Sequence, residues 1–167
     1  MAAGFFGKIP ATGDFVSRGL PGGFRRAWDR WITRHVVPRQ DRAGWPAAGL
    51  RFRLSSGGRA AAGVIVPGCD SAGRRFPLSL VLTGSALPGP AGLDPWCDAA
   101  AALPLAEFPD PDSLWDALNR IEVAPESGPD RLPDRPALLL WRHAGTAEAA
   151  DPETPGRALD RLLVSSD

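Results

Sequence analysis

Between Leu50 and Leu82 the chain carries three apolar runs whose links are too short for a crossover helix. Leu50-Arg51-Phe52-Arg53-Leu54 alternates in polarity, whereas residues 60–66 are a continuous apolar run and 76–82 an apolar run broken only by Ser79. Parallel neighbours need a dozen or more connecting residues, so this spacing predicts an antiparallel meander. Strict alternation in the first run predicts Leu50, Phe52 and Leu54 facing inward and Arg51 and Arg53 facing outward. Ser55-Ser56-Gly57-Gly58 supplies a hairpin connection. The second link, Pro67-Gly68-Cys69-Asp70-Ser71-Ala72-Gly73-Arg74-Arg75, sets one carboxylate and two guanidiniums between buried strands. Charges at the end of a sheet stand on a rigid base, where recognition sites concentrate. Gly73 before Arg74 predicts a positive φ.

The flanking segments read in turn. Residues 4–9 form a short aromatic strand ended by Pro10, and Gly13-Asp14 favours a tight reversal. From Pro21 the period changes: Phe24, Trp28, Trp31 and His35 share one helical face, predicting an amphipathic helix that ends near Pro38. Arg25, Arg26, Asp29, Arg30 and Arg34 fall off that stripe, with Arg25 and Asp29 one turn apart and able to pair. After a loop at 85–93, Asp94 is expected to cap a helix with Pro95 at its first position. A further helix is expected over 113–121, with Ser113 and Asp116 as its capping box. Pro125, Pro129, Pro133 and Pro136 predict an extended, exposed loop over about 122–136. Residues 137–141 read as a late buried strand, 145–153 as loose chain and 157–163 as a terminal helix. Helices bracketing a sheet of early and late strands make a layered α/β domain, expected to span 1–167 as one unit.

Charge and motif content narrow the function. With 19 basic and 19 acidic residues the formal charge is zero, so no global field favours nucleic acid or an anionic membrane. No apolar run approaches a membrane span, and Met1–Lys8 lacks the basic-then-apolar order of a signal peptide, so a cytoplasmic protein is expected. Cys69 and Cys97 form no CxxC, which fits a reducing compartment, with Cys69 as a small buried residue. Lys8 is the only lysine, and arginine supplies the remaining cations. Arginine favours planar bidentate contacts, but a GC-rich genome also enriches it. Gly4-Phe5-Phe6-Gly7-Lys8 places Ile9 where a phosphate loop needs Ser or Thr. No GxSxG, HExxH or EF-hand pattern occurs, and Ser71 has no neighbouring base. His35 and His143 lie on different elements, and His35 reads as a packing residue rather than a ligand. No catalytic residue, metal or cofactor is expected.

What remains is the set Lys8, Asp14, Asp70, Arg74 and Arg75. If the first strand lies beside the meander, both Gly/Asp turns meet at one rim. Such a cluster serves either as a charged recognition surface or as an internal salt-bridge network that pins two turns. A third use is phosphoester binding or hydrolysis by Asp14, Asp70 and Arg74, although that reaction needs more metal-binding carboxylates.

The same residues carry a family likeness. Gly4-Phe5-Phe6-Gly7-Lys8-Ile9-Pro10-Ala11-Thr12-Gly13-Asp14-Phe15-Val16 with Arg18-Gly19-Leu20-Pro21 resembles the opening of the TagF (ImpM) family of type VI secretion-associated proteins. The likeness continues through Trp28-Asp29-Arg30-Trp31 and Leu50-Arg51-Phe52. It is strongest at Gly63-Val64-Ile65-Val66-Pro67, Asp70, Gly73-Arg74 and Phe76-Pro77-Leu78. Beyond the first half, only Ser113-Leu114-Trp115 and Leu140-Trp141 are similar. Gly68 stands where the family commonly has serine, and Arg142 where it often has tryptophan. The resemblance implies a three-layer α/β/α sandwich with a mixed, largely antiparallel sheet. It also implies a cytoplasmic accessory protein, not an enzyme, that represses type VI secretion post-translationally. Its partner would be a forkhead-associated scaffold protein; on the reading of the charged set as a recognition surface, Asp14, Asp70, Arg74 and Arg75, with Lys8 contributing, are the residues expected to grip it.

Overall fold

The computed structural model describes residues 1–125 and 136–163. Seven strands, β1 (Ala2–Gly7), β2 (Val16–Arg18), β3 (Leu50–Ser56), β4 (Arg59–Val66), β5 (Leu78–Gly84), β6 (Ala137–Trp141) and β7 (Glu148–Ala150), form one sheet. Their order is β2-β1-β5-β4-β3-β6-β7, and every neighbouring pair is antiparallel. The expected meander is β3-β4-β5, and β1 lies beside β5. No parallel pair occurs among the described residues, which departs from the mixed sheet that the resemblance implied. β2 and β7, at the two edges, were not expected. Three residues each are too few to display a period of two.

The helices are α1 (Gly22–Trp31), α2 (Pro90–Ala101), α3 (Pro111–Asn119) and α4 (Gly156–Leu162). Beyond α1 the chain continues as a π turn, Ile32–Val36, and a 3-10 turn, Val37–Arg39. Pro38 has no amide with which to close an α-helical bond to the Arg34 carbonyl, so the helix cannot run on unchanged. Apolar side chains collect in two clusters. One joins Phe5, Val64 and Leu80 to Trp96 of α2 and to Leu114 and Leu118 of α3. The other joins Phe6, Phe52 and Ile65 to Trp28, Ile32 and Leu159. Adjacent residues Phe5 and Phe6 enter different clusters, as strand alternation requires. Trp28 Nε1 donates to the buried Ser79 Oγ at 2.8 Å, fixing α1 against β5.

Several local expectations are corrected. Arg51 is 0% exposed and Arg53 is also buried, so neither faces water. The alternation of β3 places them on the face covered by α2, where Asp94 and Asp98 take the Arg51 guanidinium and the Leu87 and Pro88 carbonyls take Arg53. Asp94 is not a cap: Pro90 occupies the first turn of α2 and Gly89 precedes it. In α3 the cap is Asp110, whose Oδ1 accepts the Ser113 amide at 2.8 Å, with Pro111 at the first position. Asp29 accepts from the Thr33 hydroxyl at 3.2 Å rather than pairing with Arg25. Cys69 is half-buried rather than buried. Of the proline-rich loop expected at 122–136, residues 126–135 lie outside the described residues.

Candidate functional site

Three strand ends converge below the central turn. Val66 of β4 pairs with Leu78 of β5, and Phe6 of β1 with Ser79, so the chain after Gly7 and the chain after Val66 leave the same end of the sheet. There the two Gly/Asp turns meet: the Ser71 amide donates to the Thr12 carbonyl at 2.8 Å, and Arg74 Nη2 to the Gly13 carbonyl at 2.7 Å. Contact between their backbones is close. A Cβ on Gly68 would lie 2.5 Å from the Phe76 carbonyl oxygen and 2.6 Å from that of Lys8. A serine here has no room. The turn itself closes as the Asp70 amide donates to the Arg74 carbonyl and the Gly73 amide to the Asp70 carbonyl, both at 3.0 Å, with Gly73 at φ 80°.

Asp70 is the centre of this construction and is 2% exposed. Its Oδ1 accepts the Ala72 amide at 3.0 Å and the Arg74 amide at 2.9 Å. Its Oδ2 accepts Arg74 Nε at 2.8 Å and lies 3.1 Å from Lys8 Nζ. Burial alone would push the carboxyl up; the Arg74 amide, the Lys8 ammonium, the Ala72 amide and the Arg74 charge outweigh it and hold the pKa at about 2. The Lys8 ammonium also lies 4.8 Å from the centre of the Phe15 ring. Phe15 is 47% exposed and packs edge-on against Phe76 at 4.9 Å. Sequence reasoning passed over Phe15; its signal was an aromatic residue immediately after the Gly-Asp turn.

The expected set therefore divides. Lys8, Asp70 and Arg74 come together. Asp14 lies in the adjoining turn, where its Oδ1 accepts the Phe15 amide at 2.7 Å, with no bond to the other three. Arg75 points elsewhere, to the Asp41 carboxylate and the Gln40 carbonyl, tying the central turn to the loop after α1. Lys8 and Asp70 are internal, as a brace requires. Arg74 is both: its side chain is bonded inward yet 64% exposed. A shallow cavity of about 470 Å³ opens alongside, lined by Pro10, Pro67, Cys69, Arg75 and Leu105 among others.

A second ionic cluster, gathered on the buried Arg51, went unread in the sequence. Arg51 binds Asp94 at 2.5 Å and also Asp98, which His143 Nδ1 approaches to 2.9 Å; Trp141 Nε1 donates to Asp94 at 2.9 Å. Its signal was the Asp94/Asp98 pair, one helical turn apart and facing an arginine-bearing strand. The neighbouring Cys97 is no nucleophile, because burial pushes its thiol up to about 12. Among the described residues no group of three His, Cys, Asp or Glu stands close enough to hold a metal ion. No helix among them is long and apolar enough to cross a membrane.

Comparison with known proteins gives a family and a fold. The model of the TagF N-terminal domain, type VI secretion system-associated, matches residues 4–121. The crystal structure of PA0076 from Pseudomonas aeruginosa PAO1 is similar, with a TM-score of 0.71 at 25% sequence identity over 99% of this chain and 95% of that one. That likeness runs past residue 121 through β6, β7 and α4. No curated protein matches.

Proposed function

The chain belongs to the TagF N-terminal domain family, associated with the type VI secretion system, and from that premise we propose that it is an accessory post-translational repressor of the apparatus. It acts in the cytoplasm by binding a protein component, the forkhead-associated scaffold being the partner proposed. The observation that carries this reading is Arg74, anchored on a buried carboxylate while its guanidinium stays largely open to solvent. A charged donor held in one orientation forms directional bonds to a partner at little further cost in side-chain entropy. Around it, Asp14 and the exposed ring of Phe15 enlarge the surface, and Arg75 borders the adjacent cavity.

Binding is favoured over catalysis for one reason. Both oxygens of Asp70 already accept bonds from amides, an ammonium and a guanidinium, so this carboxylate is occupied as a base or metal ligand. Phosphoester hydrolysis by Asp14, Asp70 and Arg74 would first have to dismantle that network. Two apolar clusters, one with α2 and α3 and the other with α1 and α4, support the three-layer arrangement as the scaffold. Affinity capture from the native host, comparing wild type with an Asp70→Asn/Arg74→Ala double variant, tests the assignment. Loss of the secretion-system component from the variant supports it; equal recovery overturns it.

A further inference from the structure

We propose that the outer face of α1, with the groove beside it, is a second docking surface, and that its occupant is an acidic protein segment bearing apolar anchors. The groove has two connected parts. One, of about 460 Å³, lies between the start of α1 and the end of the sheet, lined by Phe24, Leu54, Arg59, Ala60 and Thr83 among others. The other, of about 140 Å³, shares Phe24 and Leu54 and continues along Ala27, Trp28 and Trp31. Openings of this size accept individual apolar side chains.

Charge selects the occupant. Arg18, Arg39, Arg42, Arg51, Arg74, Arg75 and Arg161 each hold a carboxylate. Arg25, Arg26, Arg30 and Arg34 hold none among the described residues, and the last three are exposed. Arg59 stands on the groove wall, and none of the residues that line either part is acidic. Asp29, the acid of α1, is half-buried and bonded to Thr33. A chain of zero net charge thus keeps a strip beside an apolar trough in which the four arginines outnumber the one carboxylate, Asp29. Acidic residues of a partner would meet the arginines while its apolar side chains enter the groove. A continuous polyanion suits the surface less well, because it offers no apolar side chain to the trough lined by Phe24, Ala27, Trp28, Trp31 and Leu54. β4 runs from Arg59 at this groove to Val66 before the Asp70 turn, so the two surfaces occupy opposite ends of the sheet and stand independently.

Selection from a random peptide display library against the full chain tests the proposal without a known ligand. Enriched peptides should be net acidic and carry leucine or aromatic residues. Synthetic copies should bind Arg30→Glu/Arg34→Glu protein at least about tenfold more weakly, a difference of ~1.4 kcal/mol. Ala27→Glu, which places a carboxylate at the groove, should weaken them comparably. If the charge-reversed protein does not fold by circular dichroism, Arg30→Ala/Arg34→Ala takes its place. Failure to enrich, enrichment without acidic bias, or binding indifferent to these substitutions overturns the proposal. So does tighter binding of a single-stranded oligonucleotide or of phosphatidylglycerol vesicles than of the selected peptides.

Discussion

Lys8 Nζ lies 3.1 Å from Asp70 Oδ2 with both side chains withdrawn from water, and this contact locks the end of the first strand to the central turn. Removing one member of a buried pair strands the other, so the pair is best judged by a cycle rather than a single change. Asp70→Asn and Lys8→Met should each lower the thermal midpoint. The double variant should lose less than the two losses added. Strict additivity in differential scanning calorimetry would show that the contact contributes no coupling.

Acid should loosen the molecule through the same network. The Asp70 carboxyl falls from an ordinary value near 3.8 to about 2 in the folded chain. Asp98, Asp110 and Asp160 are also held low, by Arg51, by the Ser113 amide and by Arg39. The folded state therefore binds fewer protons than the unfolded one, so this stabilisation is present above about pH 4 and lost as pH falls toward 2. Urea midpoints should decline across that window, with a shallower decline for Asp70→Asn. A decline of equal slope would remove Asp70 from the acid response.

Gly68→Ser should destabilise by about 1–3 kcal/mol, since the new Cβ meets two carbonyl oxygens rather than movable side chains. Gly73→Ala, strained by its positive φ but facing open space, should cost less. Chemical denaturation ranks the two; the reverse order would contradict the close approach at Gly68.

Ser79→Ala leaves the buried Trp28 Nε1 without its acceptor. The loss should be about 1–3 kcal/mol by chemical denaturation, with Ser79→Thr largely retaining the bond. A neutral Ser79→Ala would mean that Trp28 finds another acceptor.

The sequence carried the meander and the α1 stripe, because each rests on local period and link length; the meeting of the two turns was conditional on β1 lying beside the meander, which its pairing with β5 satisfies. It misled at Arg51 and Arg53. Alternation shows which face a side chain joins but not whether that face is covered, and α2, distant in sequence, covers it. The same limit hid the Arg51–Asp94–Asp98 cluster, assembled from a strand and a helix. The helix starts at Pro90 and Pro111 were misplaced because Asp94 and Ser113 also have capping chemistry. Within the site, Lys8, Asp70 and Arg74 were expected in one charged set, and they meet. That Arg75 turns instead to Asp41 depends on the path of the loop after α1, which no residue pattern reports.

Arg74 bears the central claim. Isothermal titration of the forkhead-associated scaffold protein into wild-type chain and Arg74→Ala, with thermal midpoints measured in parallel, tests it most directly. The account predicts at least about tenfold weaker binding with the fold retained, because Asp70 keeps Lys8 and the Ala72 and Arg74 amides. Unchanged affinity, or an Arg74→Ala chain that no longer folds, would contradict it and leave Arg74 as part of the internal brace.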